Sequence, residues 1–377
     1  MKISLNGLNQ NSEFNYDIMI VGGGPAGIST WLHLHKYVPE IASKTIVIEK
    51  EKFPRDKICG GGIGGWSSYI LNNLNIDLDL PSINISDLEF IYGEKKFTLH
   101  QPNCFKMVQR IEFDHALVKK AVKRGLKINE NEMFLNFTRK DKKIIIKTNK
   151  RTYNVKALIG ADGALSKVRR TMNLKNKPHI APTLEVFSPV NNKYDNEYKE
   201  KKIVVDLSYV NEGLQGYIWH VPCIKNGKPY IGHGMVNFRI HKNKPKANMI
   251  KIFNQVLQSR NIKVEQKKWL GHPIRWYSKE DEISIPNVLL VGDAVGIEPA
   301  FGGGIHFALS YGEVSSKTII DAFQRGDFSF KEYKNQIKSH LIGKWIAKCT
   351  SIALELYDNK IDPFEAAREV FTIRKKK

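Results

Sequence analysis

The chain has 377 residues, 42% hydrophobic and 26% charged, enough apolar material for more than one lobe and too much for wholesale disorder. Lys and Arg number 59 against 38 Asp and Glu, a formal charge of +21 that favours anionic partners in general. The basic residues are spread over stretches such as "TRKDKKIIIKTNKR", "HKNKPKAN" and the terminal "IRKKK", with no arginine-rich helix and no nucleic-acid motif, so nucleic acid is not an expected partner.

Met1 to Asn15 is polar and lacks the apolar core of a signal sequence, and no window offers the roughly 20 apolar residues of a spanning helix. From Tyr16 the chain reads "YDIMIVG", "GGPAG", "ISTWLHLHKYV", "TIVIEK", which predicts strand, glycine turn, helix and strand. "GGGPAG" sets Gly22, Gly24 and Gly27 in the G-x-G-x-x-G pattern. Gly22 permits the tight turn, Gly24 lets a pyrophosphate approach, and Gly27 allows close helix–strand packing. Pro25 and Ala26 open a helix whose free N–H groups face the phosphates. Glu49 follows Gly27 by 22 residues, where its carboxylate takes ribose hydroxyls and disfavours a 2′-phosphate. A dinucleotide is therefore expected, FAD or NAD rather than NADP.

Next comes "FPRDKICGGGIGG", Phe53 to Gly65, with one cysteine between a basic cluster and five glycines. Residues 77–109 look short-stranded, an excursion that returns through the helical "RIEFDHALVKKAVKRG", which Arg110 opens. "ALIGADGALSKVRR" puts Asp162 and Gly163 after a strand. From Met172 to Pro286 the texture is β-rich, and "GYIWHVPCIKNGKPYIGHGMV" reads as a hairpin about Asn226-Gly227. Side chains alternate in a strand, so Tyr217 and Trp219 share a face, either sheet core or the wall of a hydrocarbon tunnel. The lone histidines His220 and His233 are expected to be structural, and His306 a packing or surface residue. "NVLLVGDAVG" places Gly292 and Asp293 after a buried strand, and Gly303, Gly304 and Ile305 open the helix that follows. In the helical remainder Trp345, Cys349, Ile352, Ala353 and Leu356 form one apolar stripe, read as core packing. Cys59, Cys104, Cys223 and Cys349 lie far apart with no metal-binding spacing, which predicts free thiols in a cytoplasmic protein and no metal site.

The fingerprint, the Asp162-Gly163 segment and the Gly292-Asp293 segment together resemble the three motifs of the flavoprotein hydroxylase superfamily, which includes para-hydroxybenzoate hydroxylase. The resemblance implies FAD, with Asp293 on the ribityl chain and Arg110 directed toward the cofactor. It also places the N–H groups of Gly303, Gly304 and Ile305 beside the flavin ring, where a helix N-terminus stabilises negative charge. The fold class it implies is α/β: a Rossmann-like FAD-binding domain with an inserted β-rich substrate domain and a C-terminal helical segment. The FAD-binding domain then comprises 1–76, 110–171 and 287–325. Residues 77–109 reach toward the substrate domain 172–286, and 326–377 form the helical segment.

Within that superfamily "KICGGG" (Lys57, Cys59, Gly60, Gly61, Gly62) resembles the geranylgeranyl reductase family, whose glycines here let backbone approach the flavin. A second family motif, Tyr-x-Trp-x-Phe-Pro, is present as "YIWHVP", with Val221 where the family has phenylalanine. The family saturates isolated carbon–carbon double bonds of prenyl chains, with hydride from N5 of reduced FAD and a proton to the neighbouring carbon. Cys59 is accordingly expected as a cofactor contact and as a catalytic, proton-supplying residue, with Tyr217 and Trp219 on the substrate. The implied partners are a prenylated lipid or quinone and an electron donor, NAD(P)H or ferredoxin, for which the chain has no second nucleotide fingerprint. Peripheral contact of a monomer with anionic membrane is expected from the net charge. The alternative is a monooxygenase or halogenase of the same superfamily, because halogenases carry Trp-x-Trp-x-Ile-Pro, a pattern that "YIWHVP" partly matches. A quinone-linked dehydrogenase would often carry iron–sulfur cysteines, and a prenyl-lipid carrier would hold FAD only structurally.

Overall fold

The computed structural model describes residues 16–140, 143–175 and 179–375. The polar opening segment and the last two lysines of the basic tail lie outside the described residues.

The apolar runs Ile18–Val21, Thr45–Ile48, Ala157–Gly160 and Val288–Leu290 are buried along their whole length, the mark of a parallel sheet covered on both faces. They form a six-stranded sheet in the order Ser284–Ile285, Val288–Leu290, Ala157–Gly160, Ile18–Val21, Thr45–Ile48, Lys127–Asn129. Every pairing in it is parallel except that of the Ser284–Ile285 edge. Strands from four distant segments are thus neighbours, and their carboxyl ends converge on one crevice, the usual place for a ligand in an open α/β sheet.

Helix Pro25–Tyr37 and helix Gly304–Arg325 pack tightly in the same core. A Cβ at Gly312 would lie 2.3 Å from Ser29 Oγ, so glycine there sets the close approach. Ser29 Oγ donates to the Leu309 carbonyl (2.6 Å), and the Thr30 and Ser315 hydroxyls are 2.9 Å apart. The three-stranded sheet of Phe134–Lys140, Lys143–Thr148 and Thr152–Val155 adds Phe137, Ile144 and Ile146 to this core.

A second sheet of seven strands runs Thr183–Pro189, Lys228–Val236, Ile218–Lys225, Lys202–Asp206, Ile83–Tyr92, Lys95–Met107, Gly62–Gly64. Its pairings are antiparallel except Lys202–Asp206 with Ile83–Tyr92. Residues Gly62–Gly64 of the glycine-rich stretch are therefore an edge strand of this larger sheet, joined to Lys95–Met107. Helices Leu341–Tyr357 and Pro363–Lys375 share a core cluster with it, and the stripe of Trp345, Cys349, Ile352, Ala353 and Leu356 is buried. Among the described residues no helix is long and apolar enough to cross a membrane.

Candidate functional site

Between the two sheets lies a cavity of about 1130 Å³. One arm is bounded by the fingerprint turn and the strand ends of the six-stranded sheet. The other runs along one face of the seven-stranded sheet to the C-terminal helix, where Ala367, Val370 and Phe371 line it. The volume exceeds the roughly 300–1,000 Å³ of a typical small-molecule site, which leaves room for a cofactor and a second ligand.

Two helices begin at the cavity, and neither has a side-chain cap: Pro25–Tyr37 after Gly24, and Gly304–Arg325 after Gly303. Helix N-termini without caps offer N–H groups and a partial positive charge to an anion. The glycines before them differ in purpose. Gly22 has φ +111° and a Cβ there would stand 2.4 Å from the Ala161 carbonyl oxygen, while a Cβ at Gly27 would stand 2.1 Å from that of Gly22. These two serve the protein's own packing. Gly24 borders open space, its nearest neighbour being Arg55 Nη2 at 3.6 Å, and this is where a phosphate fits. Pro25 and Ala26 line the cavity beside it. Gly303, with φ +108°, sits over the buried His306 ring, 2.3 Å from the place of a Cβ, so His306 is indeed packed inward.

Glu49 is 5% exposed; its Oε2 accepts from the Gly23 amide (2.9 Å) and its Oε1 from that of Glu51 (3.1 Å). Carboxylate oxygens have further lone pairs for ribose hydroxyls. Arg55 spans Glu49 (3.5 Å) and the buried Asp114 (3.2 Å), and Arg110 grips Asp114 with two bonds of 2.7 and 2.8 Å. Arg110 and Arg55 are thus fixed by one carboxylate at the cavity wall. Arg55 and Asp114 escaped the sequence reading, although Arg55 belongs to the quoted "FPRDK". Asp162 caps the short helix Lys167–Thr171, accepting from Ser166 Oγ and the Lys167 and Val168 amides, so its carboxylate holds a loop that lines the cavity with Gly163. Asp293, in the turn Gly292–Ala294, lines the cavity near Lys57.

Lys57 Nζ stands 2.9 and 2.8 Å from the two ring nitrogens of His272. Burial pushes the lysine down to about 8, partly opposed by Asp293 and reinforced by Arg110. Burial and then the Lys57 charge push His272 down to about 4, leaving it a neutral acceptor. The folded chain binds fewer protons here than the unfolded one between pH 8 and 10.5, so stability rises with pH through that window and the deficit is fully present below it. Lys57→Met is expected to stabilise the apoprotein by about 3 kcal/mol at pH 7, with the gain fading toward pH 10. Urea unfolding at both pH values measures this, and a variant less stable at pH 7 would contradict the buried ammonium.

The glycines of "KICGGG" need an amended explanation. At Gly61, φ is +77° and a Cβ would lie 1.9 Å from the Val108 carbonyl oxygen, so the demand comes from the protein's own backbone. Gly60 and Gly62 would bring a Cβ to ordinary contact with Trp219 (3.5 Å) and Phe105 (3.4 Å). All three line the cavity with Cys59, whose sulfur accepts from the Gly61 amide at 3.5 Å and faces the Arg110 guanidinium.

Register explains the remaining wall. Phe90 pairs with Val205, Val205 with Trp219, Trp219 with Gly234 and Gly234 with Glu185, one row across five strands. Tyr217, just before its strand, stands with its ring centroid 5.9 Å from that of Trp219. His220 and His233 fall on the opposite face by parity, their Nδ1 atoms 2.8 Å apart and His233 Nε2 3.0 Å from Ser188 Oγ, which makes them structural. Among the described residues no cluster of three or more His, Cys, Asp or Glu could hold a metal.

The uncapped helix starts, the open space at Gly24 and the acid at Glu49 fit FAD. Comparisons agree. Residues 15–309 match the FAD binding domain family. The digeranylgeranylglycerophospholipid reductase 3 of Methanosphaera stadtmanae is 27% identical over 365 residues, 91% of this chain and 87% of that protein. Among solved structures, a geranylgeranyl bacteriochlorophyll reductase-like protein of Thermoplasma acidophilum superposes with TM-score 0.72 at 20% identity, over 96% of this chain and 92% of that one. A point mutant of the halogenase PltM in complex with FAD superposes with TM-score 0.70 at 14% identity, over 92% of this chain and 77% of that one. The chain therefore belongs to the FAD binding domain family, as an FAD-dependent oxidoreductase.

Proposed function

We propose that this protein saturates carbon–carbon double bonds in the prenyl chains of lipid or quinone-type substrates. The observation that carries the reading is the apolar arm of the cavity, floored by Phe90, Val205 and Trp219 and closed by Val370 and Phe371 of the C-terminal helix. Reduced FAD supplies hydride. The chain's own residues bind and orient: the helix after Gly24 holds the pyrophosphate, Glu49 the ribose and Asp293 the ribityl chain. Gly303, Gly304 and Ile305 present N–H groups to the ring, and Lys57 and Arg110 add positive charge near it. Cys59 serves as a cofactor contact. An unactivated alkene has no carbonyl to polarise, so positioning in a dry apolar arm is the main contribution of the protein. At about 0.8 kcal/mol per buried CH₂, a long prenyl chain brings ample binding energy. Electrons come from a separate donor such as NAD(P)H or a ferredoxin.

The test is an anaerobic single turnover of the dithionite-reduced holoprotein with a geranylgeranyl lipid, following flavin absorbance and product mass. Reoxidation with two hydrogens gained per bond supports the reading. A flavin that stays reduced until oxygen enters supports the halogenase or monooxygenase alternative, whose Trp-x-Trp-x-Ile-Pro pattern "YIWHVP" partly matches.

Prenyl lipids reside in membranes, and a formal charge of +21 suits docking on anionic surfaces at about 1 kcal/mol per well-placed Lys or Arg. The protein is expected to sediment with phosphatidylserine-containing vesicles at physiological salt and to be released at high salt. Recovery in the supernatant at both salts would contradict peripheral docking.

A further inference from the structure

Along the cavity row that begins at Phe90, every side chain is apolar or aromatic until Glu185. Gly234, between Trp219 and Glu185, has no side chain, and the indole lies across the vacated position: a Cβ at Gly234 would stand 2.1 Å from Trp219 Cζ2 and 2.8 Å from Nε1. The Nε1 edge is thereby turned toward Glu185 and toward Gly60, whose Cβ position is 3.5 Å from it. The backbone of Glu185 is clamped on its other side by two bonds with Leu270, of 2.8 and 2.9 Å.

Glu185 is 1% exposed, and neither its carboxyl oxygens nor Trp219 Nε1 makes a hydrogen bond of normal geometry, although the Trp219 N–H and the Cys59 amide lie close enough to the carboxyl to favour its charged form. Buried polar atoms that lack a well-formed bond are costly and rare, and a group of three at the wall of a ligand cavity calls for an explanation. Burial pushes the Glu185 carboxyl up to about 7. The Trp219 N–H, the Lys225 ammonium and the Cys59 amide work weakly against this, and Asp56 works with it. The Cys223 thiol also faces it and is pushed up to about 12, by burial and then by Glu185 itself. Below about pH 7 Glu185 therefore holds a proton at the wall of the cavity. Cys59 is differently placed, because its sulfur is surrounded by donors, the Gly61 amide and the Arg110 guanidinium. That setting suits an acceptor.

We propose that Glu185 is the general acid of the alkene reduction, a role that rests on the prenyl-reductase reading above. The π pair of the alkene forms a C–H bond with the carboxyl proton, and the O–H electrons stay on Glu185 as the carboxylate. The adjacent carbon takes hydride from reduced FAD, which is thereby oxidised by two electrons. After product leaves, water entering the cavity returns a proton to Glu185.

The experiment compares wild type, Glu185→Gln and Glu185→Asp. In the substrate-free apoprotein, the infrared carbonyl band of a protonated carboxylic acid is expected to disappear with a midpoint near pH 7 and to be missing in Glu185→Gln. In anaerobic single turnovers with a geranylgeranyl lipid, the wild-type rate is expected to be level below about pH 6 and to fall above about pH 7. Glu185→Gln should be at least about 100-fold slower with that pH dependence gone, and Glu185→Asp should recover part of the rate together with the pH dependence. FAD content and lipid binding should be equal in all three. Full activity of Glu185→Gln in a protein that does reduce the lipid would overturn the acid role and leave the function standing. Absence of the titrating band would likewise overturn it. A wild type that reduces no prenyl lipid would overturn the functional reading and the acid role with it.

Discussion

Gly24→Val is expected to give a folded protein whose FAD affinity is at least about 100-fold lower, a loss of about 2.7 kcal/mol. Backbone strain plays no part, because Gly24 is extended at φ −77° and ψ −179°. A side chain there would project into the cavity, with nothing nearer than Arg55 Nη2 at 3.6 Å. Its methyl groups would occupy the approach to the N–H groups of helix Pro25–Tyr37, and a pyrophosphate could no longer reach them. Gly22 and Gly27 cannot make this distinction, since a Cβ at either meets backbone oxygen at 2.4 or 2.1 Å and breaks the turn itself. Titration of FAD by fluorescence quenching, with the melting temperature of the apoprotein as control, measures the effect. A yellow Gly24→Val protein of unchanged affinity would place the pyrophosphate elsewhere.

Filling the apolar arm should have an effect as large on the other ligand. Val205 lies at the centre of the cavity floor, paired with Trp219 on one side and Phe90 on the other. Tryptophan at this position would project into the space between the sheet and the C-terminal helix. Val205→Trp is expected to keep its FAD and its reduction by dithionite, while kcat/KM for a geranylgeranyl lipid falls at least about 100-fold, or about 2.7 kcal/mol. Steric conflict with the existing walls would cost about 1–3 kcal/mol of stability, which thermal melting reports separately. A shorter prenyl substrate should lose less, because it need not pass residue 205. Undiminished turnover of the long substrate would show that the chain runs elsewhere.

Legibility in the sequence followed the range of each interaction. The fingerprint turn could be read because Gly22, Gly24 and Gly27 answer to backbone geometry within one turn, and Glu49 ends the very next strand of that unit. The free N-terminus after Gly303 was legible for the same reason. Three glycines in a row at 60–62 were equally visible, yet their purposes were not: the oxygen that excludes a side chain at Gly61 belongs to Val108, 47 residues away in the chain. Likewise Asp162 was found beside the cavity by its motif, whereas its work as a helix cap needed Ser166 and Lys167 in three dimensions.

By itself the sequence determined the βαβ nucleotide unit, the choice of FAD through motifs taken together, and the alternating faces of the hairpin that hold Tyr217 and Trp219. Tertiary structure alone decided that Glu185 stands beyond Trp219, that Arg55 and Arg110 share Asp114, and that Ala367, Val370 and Phe371 of the C-terminal helix, which has no motif of its own, close the cavity. The physical reason is register. Within a strand, the face of a side chain follows from counting by two, but which residues from four other strands share its row depends on pairings between segments up to about a hundred residues apart. A one-residue slip in any of them would turn Glu185 away from the cavity and bring Val186 to it.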